Sequence, residues 1–99
     1  MVTVSVLLTL HIPGVQSLKE KRAVVRSLVA RLRSRLDLSA AEVGAQDELQ
    51  RALIGFAVVS GDFATARRLA EEAQDFADRE LIGRAEVVDR QVEEIVLSE

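Results

Sequence analysis

Residues 2–12 alternate without a break: Val2, Val4, Val6, Leu8, Leu10 and Ile12 fall on one side, and Thr3, Ser5, Leu7, Thr9 and His11 on the other. A period of two carried by β-branched residues predicts a strand with one buried face. Pro13-Gly14 ends it. The period then changes. Ser17-Leu18-Lys19-Glu20 has the spacing of a capping box, in which a Ser hydroxyl and a Glu carboxylate each satisfy an orphan amide at a helix start. Behind it Leu18, Val25, Leu28, Val29, Leu32 and Leu36 recur at helical spacing, predicting a helix from Leu18 to Leu36.

Leu38 to Gln46 reads as a second strand, Asp47-Glu48 as a turn, and Leu49 to Val59 as a third strand rich in β-branched and small residues. So short a polar interruption predicts an antiparallel hairpin. Ser60-Gly61-Asp62 breaks the pattern, with Asp62 a suitable N-cap. Phe63, Ala66, Leu69, Ala70, Ala73, Phe76 and Ala77 then follow helical spacing as far as Leu81, and Gly83 suits the C-terminal end. Five of the thirteen residues 85–97 are β-branched, so this segment is read as a strand, although Val88, Val92, Ile95 and Val96 also fit a helical stripe. Residues 92–99 either continue that strand or fray. The order β-α-β-β-α-β predicts an α+β ferredoxin-like plait, with a four-stranded antiparallel sheet carrying two helices on one face. The whole chain, 1–99, forms that one domain.

Composition narrows the chemistry. A length of 99 residues supports one core and leaves no room for a catalytic insertion. With no Cys, disulfides, iron–sulfur clusters, thiolate zinc sites and cysteine nucleophiles are excluded together, and one His makes no multi-histidine metal site. No catalytic constellation, cofactor motif or metal site is expected. No apolar run approaches the roughly 20 residues of a membrane span, and the start lacks a basic leader, so a soluble cytoplasmic protein is expected. Eleven Arg against two Lys, with no Asn, fit either a thermophile or a GC-rich genome.

His11-Ile12-Pro13-Gly14, Ser17-Leu18-Lys19-Glu20-Lys21-Arg22, Ala41-Glu42-Val43-Gly44, Gln46-Asp47 and Gln50-Arg51 together resemble the YlxP-like family of small bacterial proteins. The similarity spans most of the chain in order, and the Ser17–Arg22 run is its most specific piece. The chain departs from the family at Leu49, often an aromatic there, and at Glu48, commonly apolar. The resemblance implies a ferredoxin-like fold. Because the family's genes often lie beside translation-initiation and ribosome-maturation genes, it also implies a ribosome-related role by association.

Charge is unevenly distributed. Residues 17–36 hold seven basic side chains against Glu20 alone, a net +6, while the remainder carries −9. At about 100° per residue, Lys19, Arg22, Arg26 and Arg33 share one flank of the first helix, and with Lys21 they are the candidate nucleic-acid contacts. Such a strip fits RNA phosphates, because Lys and Arg displace condensed counterions. The alternative is a solvated face balanced by acids of the second helix.

A second candidate is a polar cluster of His11, Gln46, Asp47, Gln50 and Arg51 around the hairpin, available to a ligand or partner. His11 has a proton-shuttle role only if the strands bring it to Asp47 or Glu42. Otherwise these residues serve turn chemistry and an Arg–carboxylate pair. RNA-recognition sheets stack bases on exposed aromatics; here only Phe56 is available on a strand, so base stacking is not expected. Acylphosphatase-type hydrolysis needs an Asn the chain lacks, and neither Walker A nor GxGxxG spacing is present. The sequence therefore points to an interaction protein that contacts structured RNA or a ribosomal particle through its first helix. The alternative is a homodimeric interaction module or a small-molecule regulatory domain.

Overall fold

The computed structural model describes residues 1–98; Glu99 lies outside them. Six elements follow in the expected order: β1 (Val2–His11), α1 (Leu18–Leu36), β2 (Ser39–Gly44), β3 (Arg51–Ser60), α2 (Phe63–Leu81) and β4 (Glu86–Val96). The sheet runs β2-β3-β1-β4 and every neighbouring pair is antiparallel. The alternation in β1 explains its central place. Val2, Val4, Val6, Leu8 and Leu10 are all buried, and they meet the buried side of β3 in register, Val6 across from Phe56 and Leu8 across from Ile54. Val25, Leu28, Val29 and Leu32 of α1 close the core over that face, together with Ala66, Ala70, Ala73, Phe76, Ala77 and Leu81 of α2. The alanines leave α2 little side-chain bulk, so its backbone lies close to the sheet.

Both helix starts are capped by the predicted residues. The Glu20 N–H donates to Ser17 Oγ at 3.1 Å, and the Thr65 N–H to Asp62 Oδ1 at 2.8 Å. The reciprocal arm of the first cap differs from expectation, because the Glu20 carboxylate accepts from the Gln16 N–H at 3.0 Å instead of from the cap residue's own amide. Gly83, at φ 79°, turns the chain out of α2 in the left-handed region a side chain disfavours.

The hairpin is tighter in its strands and longer in its turn than expected. β2 stops at Gly44, two residues before Gln46, and β3 starts at Arg51, not Leu49. Two local causes account for this. The β2–β3 register shifts between Glu42 and Gly44, a bulge that bends the strand out of pairing. Ala45 then takes a left-handed φ of 59° and its carbonyl accepts the Glu48 N–H, closing the turn around Gln46 and Asp47. The last segment is a strand as predicted and runs to Val96. It lies at the sheet's edge, where α2 reaches it through the Arg67–Glu94 and Arg90–Asp78 pairs, with Val87 half-buried and the rest exposed.

Candidate nucleic-acid interface and its surroundings

Six of the seven basic residues of α1 fall into three groups, and Arg35 is exposed in its last turn. Arg31, on the flank facing α2, pairs with Glu80. Lys19, Arg22, Arg26 and Arg33 are exposed on the opposite flank, toward the free edge of β2. Arg26 and Arg33 border a groove of about 330 Å³ whose other walls are Val25, Val29, Ala30, Ala41 and Glu42. Arg33 is partly anchored there, its Nε donating to Ala40 O at 2.8 Å. Among the described residues Lys19, Arg22 and Arg26 make no ion pair, whereas Arg51, Arg67, Arg68 and Arg90 each hold a carboxylate.

Lys21 does not belong to this strip. It is 1% exposed, its ammonium donates to Ala45 O, and it lies 3.6 Å from Glu42 Oε2. Its helical position falls inside the apolar stripe, at the spacing of Val25, Leu28 and Leu32, so it enters the core and reaches the hairpin. There it holds the Ala45 carbonyl in its left-handed turn. Glu42 Oε2 is buried and accepts no hydrogen bond among the described residues, so the nearby ammonium supplies its compensation. With Lys21 neutralising Glu42, the groove keeps the positive character of Arg26 and Arg33.

The sheet brings part of the polar cluster together, with His11 beside Arg51 in register. His11 stands on the open face, across from Arg51 on one side and Glu86 on the other. Glu42 sits opposite buried Ile54 and faces the helices, so His11 and Glu42 lie on different sides of the sheet and form no shuttle. Arg51 pairs with Glu48 at 2.9 Å. The Gln50 side-chain amide donates to Pro13 O at 3.3 Å, and the Gln50 backbone carbonyl accepts the Ile12 N–H, pinning the loop after β1 to the hairpin. Gln46 and Asp47 are exposed at the turn. Among the described residues no group of three or more His, Cys, Asp or Glu is placed to hold a metal ion, and no helix is long and apolar enough to cross a membrane.

The open face of the sheet carries a shallow trough of about 640 Å³ floored by Leu7, Ala41, Val43, Gly55 and Ala57. A Cβ on Gly55 would come within 3.2 Å of Val43 Cγ1, so this position keeps the floor flat. Phe56 points the other way, into the core at 4% exposure. The trough is aliphatic, and bases find no aromatic to stack on there.

Residues 3–92 match a family described as a protein of unknown function, DUF503. The chain belongs to this family. It is similar to the uncharacterized protein YlxP of Bacillus subtilis (strain 168), 36% identical over 62 residues that cover 63% of this chain and 67% of YlxP. The resemblance to the YlxP-like family is thus matched by a relative of that name. Among solved structures, the cofactor-independent oxygenase SnoaB of Streptomyces nogalater is similar at a TM-score of 0.56 and 12% identity, over 98% of this chain and 94% of SnoaB. A dimeric ferredoxin-like protein of unknown function from Bacteroides fragilis is similar at 0.53 and 12%, over 96% of each chain. At such identities these two establish the ferredoxin-like fold of the DUF503 chain and nothing of its chemistry.

Proposed function

We propose that this DUF503 protein is a non-catalytic interaction protein that grips the phosphates of a folded RNA with the exposed flank of α1. The observation that carries the reading is the contrast in pairing. Lys19, Arg22 and Arg26 project without acidic partners among the described residues, while α2 offers its carboxylates to Arg31, Arg68 and Arg90 instead. Within the run that resembles the YlxP-like family, Ser17 and Glu20 cap the helix and Lys21 holds the hairpin. Among the described residues, Lys19 and Arg22 are exposed and make no ion pair. Recognition by phosphate geometry suits a chain whose sheet offers no aromatic platform. The acidic remainder of the chain disfavours indiscriminate binding, which favours a particular folded RNA such as that of a ribosomal particle. Size-exclusion chromatography of protein purified at low salt tests this. The wild type should elute with a raised absorbance at the nucleic-acid wavelength, and the triple variant K19E/R22E/R26E should elute clean. Identical profiles for the two remove the reading.

A second reading, self-association, has its own support. The B. fragilis protein that shares the fold is dimeric, and β4 is a long exposed edge bearing Val92, Ile95 and Val96.

A further inference from the structure

Met1 and Leu97 exchange backbone hydrogen bonds in both directions, Leu97 N to Met1 O at 2.9 Å and Met1 N to Leu97 O at 2.7 Å. In an antiparallel ladder such doubly bonded pairs alternate with unbonded ones. The register Thr3↔Ile95, Ser5↔Glu93, Leu7↔Gln91 and Thr9↔Asp89 therefore places the amides and carbonyls of those β4 residues toward β1. The backbone groups of Arg90, Val92, Glu94 and Val96 point outward, to the free edge. The side chains of these same four residues share the helix-side face, because they alternate with the open-face set. Arg90 reaches Asp78 of α2 and Glu94 reaches Arg67 from that face.

The outward residues are self-complementary under a twofold rotation. We propose that β4 pairs with β4 of a second copy of this chain, antiparallel and centred on Val92, joining two sheets into one of eight strands. This inference rests on the self-association reading and is independent of the phosphate-binding one. With the axis through the Val92 pair, Val92 meets Val92 and Arg90 of each copy stands opposite Glu94 of the other. Each of these pairs exchanges two backbone hydrogen bonds. Neighbouring registers fail on charge. Centring on Gln91 sets Asp89 against Glu93; centring on Glu93 sets Glu93 against itself; and like charges directly opposite are destabilising. Arg67–Glu94 on one copy and Arg90–Asp78 on the other then join into one alternating network across the seam. The exposure of β4 on both faces leaves room for the second strand. The other sheet edge, β2, is shorter and bent by its bulge, and so is a poor competitor.

Sedimentation velocity over a concentration series tests the pairing, with far-UV circular dichroism to confirm folding. The wild type should show a reversible monomer–dimer equilibrium. V92P removes an outward N–H without touching the bonds to β1, and it should sediment as a folded monomer. R90E and E94R each place like charges opposite one another twice, and each should raise the dimer dissociation constant about tenfold or more. An equimolar mixture of R90E and E94R restores opposite charges at both pairs and should recover the dimer. This mixture decides the matter even if V92P does not fold. A wild type that stays monomeric at all concentrations overturns the proposal, as does R90E or E94R dimerising as the wild type does, or a mixture no tighter than its components.

Discussion

Lys21 Nζ lies 3.6 Å from Glu42 Oε2, an ammonium from within the apolar stripe of α1 meeting a carboxylate from the core side of β2. A buried ion pair adds little over a well-packed apolar pair, but removing one partner leaves the other uncompensated. Lys21→Ala should therefore cost about 3–5 kcal/mol in urea unfolding, by stranding Glu42 and freeing the Ala45 carbonyl. The double variant Lys21→Met with Glu42→Leu should cost less than its two single changes together, with a coupling of about 0.5–3 kcal/mol. Strict additivity would show that the two groups do not act as a pair.

Leu28 is 2% exposed where α1 meets the sheet. Leu28→Ala should lower unfolding stability by about 2–5 kcal/mol through the cavity it leaves. A loss below about 0.5 kcal/mol, the range of surface positions, would place that helix face elsewhere.

Asp62 caps α2, and its carboxylate accepts the Thr65 N–H and hydroxyl, which holds its pKa below the ordinary 3.8. The sign follows from linkage. Stabilisation by the ionised cap is complete above the unfolded pKa and disappears as pH falls through the lower folded value. Asp62→Asn retains an accepting oxygen but has nothing to titrate. Its melting temperature should drop less than that of the wild type between pH 7 and pH 3. Equal drops would show that the cap carboxylate is not linked to folding.

The parts of the fold that were legible are those fixed by simple periods. Val2 to Ile12 alternate because one face of β1 is buried in the core beneath α2, and the capping residues Ser17 and Asp62 satisfy amides that any helix start exposes. Lys21 is charged, yet its spacing to Val25, Leu28 and Leu32 puts it in the buried stripe and not among the surface contacts. The hairpin ends were not legible: the left-handed turn at Ala45 depends on its carbonyl accepting both the Lys21 ammonium and the Glu48 N–H. Nor could spacing show that Glu42 and His11 stand on opposite sheet faces, since the bulge near Val43 and the strand order decide it. The self-complementary edge of β4 was equally hidden, for it emerges only when the Met1–Leu97 bonds show which backbone groups face outward.

The claim that α1 holds RNA phosphates is tested most directly by titrating wild-type protein and K19E/R22E/R26E against ribosomal subunits and an unrelated RNA at two salt concentrations. The wild type should bind the subunits more tightly than the unrelated RNA. Its affinity should fall with salt at a log–log slope of roughly −0.7 to −0.9 per phosphate contacted. The triple variant should lose binding while melting near the wild-type temperature, because exposed charges contribute little to stability. Equal binding by both proteins, or none by the wild type at low salt, would contradict it.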